Sequence, residues 1–85
     1  MAFAPTSLTK TEAPEVLQAG LSAIAQGATE IDLQHLMHFD SSAVAALLAW
    51  RRAAEAAAIQ LRLLNLPAGL NSLAGLYGVN ELLAT

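Results

Sequence analysis

The sequence predicts a small α/β domain, a mixed or parallel β-sheet with helices packed on it. Two segments, Thr29 to Gln34 and Ile59 to Leu64, alternate apolar and polar residues with the two-residue period of a strand. Between them lies an alanine-rich stretch with apolar residues at helical spacing. The order strand, helix, strand with short connections implies a parallel pair joined by a right-handed crossover. The chain has 85 residues, 55% of them hydrophobic and 13% charged, which suits one core and leaves no room for a second domain. A single domain over residues 1–85 is expected.

The elements follow in order. Thr11 is the preferred residue type for a helix N-cap, and Pro14 fits the opening turn, where backbone N–H groups lack partners. Val16, Leu17, Leu21 and Ile24 then recur at helical spacing, Glu12 and Glu15 sit near the positive end of the dipole, and Gly27 supplies the stop. In the first strand Ile31 and Leu33 face one way while Glu30, Asp32 and Gln34 face the other. Leu36 to Phe39 form a short apolar turn. Asp40 then caps a long helix from about Ser41 to Ala57, striped by Val44, Leu47 and Leu48. The second strand presents Ile59, Leu61 and Leu63 on one face. Asn65, Leu66 and Pro67 turn the chain into a third helix that buries Leu70, Leu73, Ala74 and Tyr77 and stops at Gly78. Val79 to Thr85 fit either a short helix or an edge strand.

Composition excludes several classes of function. Lys10, Arg51, Arg52 and Arg62 stand against seven acids for a formal net charge of −3, with no basic run to neutralise phosphates, so nucleic acid is not expected as a partner. There is no cysteine, hence no disulfide framework and no thiolate metal site. No apolar run approaches 18 residues, the longest being Ala43 to Trp50, and no signal peptide is visible. Cytoplasmic residence without direct membrane insertion is the expectation. His35 and His38 lie across a strand end and a turn with no other ligand type nearby, which argues against metal. Ser41, His38 and Asp40 are too close in sequence to converge as a catalytic triad, and no phosphate-binding glycine motif is present. Neither a cofactor nor enzymatic activity is expected.

Polar residues concentrate where the first strand meets the long helix, at Asp40, Ser41 and Ser42. Unpaired N–H groups and the helix dipole there would stabilise an anion or a phosphate carried by Ser41. The same three residues also serve as ordinary helix capping. Farther along, Arg51 and Arg52 follow Trp50, a composition common in binding hot spots. The alternative is a half-buried Trp50 over the sheet edge beside two solvated arginines.

The run Ile31-Asp32-Leu33, an apolar turn, then Phe39-Asp40-Ser41-Ser42-Ala43-Val44 resembles the signature of STAS domains, the fold of anti-sigma factor antagonists and sulfate transporter tails. Leu61-Arg62-Leu63-Leu64-Asn65 with Pro67 extends the resemblance to about 80 residues. The tail Leu73-Ala74-Gly75-Leu76-Tyr77-Gly78-Val79, with Glu81-Leu82-Leu83 after it, is similar to the MlaB-like STAS subunits of bacterial phospholipid-trafficking ABC transporters.

That resemblance implies a STAS-like fold and a non-catalytic subunit held in the cytoplasm, peripheral to the inner membrane, against the ABC transporter ATPase. It implies a partner-binding surface made of Asp40, Ser41 and Ser42 and of the helix that follows, with Val44, Trp50 and Arg51. For the anti-sigma factor antagonists it implies another partner, a kinase-type anti-sigma factor that phosphorylates the residue at the position of Ser41. The chain departs from the family pattern twice. Ala43 replaces the usual glycine and adds a methyl beside the loop. Only about ten residues precede Thr11, where most of the family has a two-strand hairpin, so a sheet shortened at the N-terminus, with an edge open to a second copy of the chain, is expected.

Overall fold

The computed structural model of the protein describes residues 2–79. Along the chain come β1 (Ala2–Phe3), β2 (Ser7–Leu8), α1 (Ala13–Ala25), β3 (Glu30–Asp32), β4 (His38–Phe39), α2 (Ser41–Ala56), β5 (Arg62–Leu64) and α3 (Ala68–Leu76). The expected ending from Val79 to Thr85 lies, beyond Val79, outside the described residues.

The α/β class holds, and the two alternating segments become β3 and β5. They pair in parallel with Ile31 opposite Leu63, and α2 makes the crossover. The ladder runs slightly beyond both strands: Arg62 N–H donates to the Thr29 carbonyl and Leu33 N–H to that of Leu64, each at 2.9 Å. Every described strand pair is parallel, in the orders β1-β3-β5 and β2-β4.

The N-terminal expectation needs correction. The residues before α1 hold two strands: β1 lies beside β3, with Phe3 opposite Ile31, and β2 lies beside β4, with Leu8 opposite Phe39. The edge of β3 is therefore covered, and β1 and β5 are the outer strands of that sheet. Strands of two residues show no alternation in sequence, and they form here because parallel partners supply their hydrogen bonds. The same cause places β4 inside the apolar stretch read as a turn.

Helix α1 starts two residues after Thr11, with Glu12 at the N-cap and Pro14 in the first turn. The Glu12 carboxylate accepts from the Ser7 and Thr9 hydroxyls, tying the end of β2 to the start of α1. Gly27, at φ 99°, turns the chain so that Ala28 N–H reaches the Ala23 carbonyl at 2.9 Å. Helix α2 has no glycine for this purpose. Ala58 takes the left-handed conformation instead, at φ 57°, and Ile59 N–H closes on the Ala54 carbonyl at 2.8 Å.

Helix α2 packs on α1 and on α3. Its largest fully buried side chain is Trp50, at 0% exposure. The indole N–H donates to the Leu17 carbonyl of α1 at 3.0 Å, and Phe3 meets the ring edge-on with centroids 5.6 Å apart. The ring also occupies the space beside Gly20, where a Cβ would lie 2.3 Å from Nε1 and 2.4 Å from Cε2. Leu8, Ile31, Leu33, Leu47 and Leu70 complete the fully buried centre.

Gly20 is thus a spacing residue, despite the ordinary cost of glycine within a helix. Gly20→Ala is expected to destabilise the fold by about 1–3 kcal/mol, the range for overpacking a core. A urea titration would show it as a lower midpoint with unchanged slope; an unchanged midpoint would mean that the helices are not in this contact.

Candidate functional site at the start of helix α2

Asp40 has an extended backbone, at φ −138° and ψ −163°, and its carboxylate caps α2. One oxygen accepts from the Ser42 N–H at 2.8 Å, as expected of an N-cap. The other accepts from the Lys10 N–H at 3.0 Å, across thirty positions of sequence. The Asp40 N–H in turn points to the Leu8 carbonyl at 3.4 Å. One side chain therefore fastens the end of β2 to the beginning of α2. These backbone donors, Lys10 first and Ser42 second, hold its carboxyl below the usual aspartate range.

Ser41, the first residue of α2, is exposed, and Ser42 is half-buried. Two shallow, mainly apolar grooves flank this turn. One, of about 350 Å³, runs between α1 and α2, where Lys10, Pro14 and Leu17 face Ser42 and Ala46. The other, of about 360 Å³, is lined by Ser41, Val44, Ala45, Leu48, Tyr77 and Val79. Ala45 borders both, so the exposed first turns of α2 form a ridge between two apolar channels. The surface thus combines an exposed hydroxyl with two apolar channels.

The remaining predicted residues separate. Val44 is buried at 4% exposure and contributes to a groove floor. Trp50 does not belong to a partner surface: α1 and Phe3 cover it completely, because the core takes the face of α2 on which it lies. Arg51 is half-buried and lines a small recess of about 120 Å³ with Leu48, Arg52 and Glu55. Arg52 is exposed. The Ala43 methyl, at 0% exposure, points into the core and adds nothing to the loop surface. His35 and His38 are exposed, and among the described residues no group of three His, Cys, Asp or Glu is placed to hold a metal ion.

Two contributors were not legible in advance. Lys10 acts through its backbone N–H, for which its side-chain type carries no signal. Tyr77, expected on the buried face of α3, is 58% exposed. The helix ends at Leu76, and Gly78 at φ 70° turns the chain, which carries Tyr77 off the buried stripe. The adjacent Tyr-Gly pair was the available sign of that departure.

The family model described as "Mlab, STAS domain" matches residues 5–84, nearly the whole chain. The chain belongs to the MlaB-like STAS family. Comparison with curated proteins and with solved structures returned no match. STAS membership points to protein–protein interaction in general. No helix among the described residues is long and apolar enough to cross a membrane.

Three carboxylates respond to acid in the same direction. Asp40 is held low by the Lys10 and Ser42 N–H groups, Asp32 by the Asn65 amide and then the Gln34 N–H, and Glu12 by the Ser7 and then the Thr9 hydroxyl. A carboxyl with a depressed folded-state pKa contributes stability that is complete above its unfolded value, about 4, and is lost as pH falls through the folded value. Melting temperature should hold from pH 7 to about 5 and drop below about 4, with a shallower drop in Asp40→Asn. Circular dichroism melts across that range would check this, and an acid-side slope unchanged by Asp40→Asn would contradict the role given to the cap.

Proposed function

We propose that this STAS domain is a non-catalytic accessory subunit. It docks on the cytoplasmic ATPase of an Mla-type phospholipid ABC transporter and supports that enzyme's assembly and activity in the lipid transport that maintains outer-membrane asymmetry. The whole chain, residues 1–85, acts as the single docking domain and resides at the inner membrane only through its partner. The observation that carries the reading is the exposed Ser41, set at the tip of α2 by the Asp40 clamp between two apolar grooves. Membership of the MlaB-like family supports the choice of partner. Asp40 acts by holding the turn, Ser41 and Ser42 by direct contact, and Val44 by flooring the groove.

Co-expression of the candidate ATPase with wild type and with Ser41→Arg tests the reading. Ser41 is exposed, so the variant should fold and melt like wild type while recovering at least about tenfold less ATPase, the effect of a bulky charge at the centre of a contact surface. Equal recovery would remove Ser41 from the interface.

A second reading rests on the same exposure. An anti-sigma factor antagonist would carry a phosphate on Ser41, adding about −1.5 to −2 charges at the helix start, where the dipole tolerates them and an acidic partner does not. Intact-mass measurement of protein from native cells separates the two: a phosphorylated fraction favours the switch, and its consistent absence favours the transporter subunit.

A further inference from the structure

Helix α1 opens without a capping side chain. Its N-cap is Glu12, at φ −96° and ψ −14°, a residue type not favoured there, while Thr11, which is, stands exposed one position earlier. The Glu12 carboxylate is turned back instead, onto the Ser7 and Thr9 hydroxyls. The Thr9 carbonyl accepts from the Glu12 N–H at 3.1 Å and the Ala13 N–H at 2.8 Å, so main chain and side chain close the same turn. Lys10 lies inside that turn, and its N–H is the one that reaches Asp40 at 3.0 Å. Two carboxylates thus act in series: Glu12 holds the turn, the turn holds the Lys10 N–H, and Asp40 joins that N–H to the Ser42 N–H at 2.8 Å. Local rules of this kind are broken chiefly at functional or strained sites. Glu12 itself lines the recess of Phe3, Thr6 and Val16, whereas Lys10 and Ser42 line the groove between α1 and α2.

We propose that Glu12 is a positioning residue for the docking surface: by closing the turn from Ser7 to Glu12 it keeps the Lys10 N–H on Asp40, and so sets where Ser41 and Ser42 stand for the partner. The inference rests on the reading of this chain as a docking subunit and adds a residue that acts on the groove through Lys10. Position and charge predict opposite signs. The Glu12 and Asp40 carboxylates repel each other, so removing the Glu12 charge alone would make Asp40 easier to ionise. Losing the Lys10 N–H, the largest of the influences that hold Asp40 low, would make it harder to ionise. The Lys10 ammonium is the other charge acting on Asp40, and it is present in every variant below.

The test uses the full chain and two readouts: the titration midpoint of the Asp40 carboxyl by carbon-13 NMR, and affinity for the purified Mla-type ATPase. Glu12→Gln and Glu12→Ala lose the same charge, but an amide side chain can still bond to the two hydroxyls. Glu12→Ala should raise the Asp40 midpoint toward the ordinary value of about 4 and weaken binding at least about fivefold, the worth of one net hydrogen bond. Glu12→Gln should leave the midpoint at or below that of wild type and bind within about twofold of it. Thr9→Val keeps the carboxylate and removes one hydroxyl; it should follow Glu12→Ala in both readouts, and it takes the place of that variant if Glu12→Ala does not fold. Equal changes in Glu12→Gln and Glu12→Ala, in midpoint or in affinity, would reduce Glu12 to a charge and overturn the proposal. Wild-type affinity in Glu12→Ala and Thr9→Val, with Ser41→Arg blocking binding, would also overturn it and leave the docking reading intact. Wild-type affinity in all of these variants, Ser41→Arg included, would overturn both.

Discussion

The Trp50 indole, seated on Gly20 with its N–H on the Leu17 carbonyl, sets the distance between α1 and α2. The arrangement at the start of α2 inherits that distance. Because α1 is held close, the turn leading into it lies beside the start of α2, and the Lys10 N–H can reach the Asp40 carboxylate. Without this contact Asp40 would still cap its own helix, yet its side chain would no longer join that helix to the end of β2. The energetic weight is large for a chain of this size. Removing a buried Trp side chain costs about 3–5 kcal/mol, against a typical total stability of about 5–15 kcal/mol.

The capping and docking accounts of Asp40-Ser41-Ser42 are compatible, because they concern different atoms. Asp40 spends both carboxylate oxygens on backbone donors and is structural. The Ser41 side chain lies on the outer side of the same turn and is exposed. The cap thus holds the backbone from which the adjacent hydroxyl projects, which limits the ordering cost of a contact made there. The net charge of −3 concerns the whole molecule, whereas the two grooves and the Arg51 recess give the α2 surface its own apolar and locally basic character.

Sequence periodicity was sufficient for the elements that satisfy themselves locally. The α2 stripe of Val44, Leu47 and Leu48, the Asp40 cap, the Gly27 stop and the alternation around Ile31 and Leu63 each have a short-range cause, and each appears where expected. The two-residue strands β1, β2 and β4 exist through pairing with distant segments, so their local sequence carries little trace of them. The cap at Asp40 and the exposed position of Ser41 were legible, because the motif that makes them is local. The surface was misread at Trp50 and Tyr77. An aromatic residue on a helix has no local feature that decides between core and surface: Gly20, thirty residues away, makes the space for one, and the turn at Gly78 exposes the other.

The most direct measurement is hydrogen–deuterium exchange of the full chain with and without the candidate ATPase. The account predicts that added protection concentrates at the start of α2 and in its two flanking grooves, over residues 10–17, 41–52 and 76–79, while the outer strand β5 exchanges as in the free chain. Protection confined to β5, with the start of α2 unchanged, would contradict it.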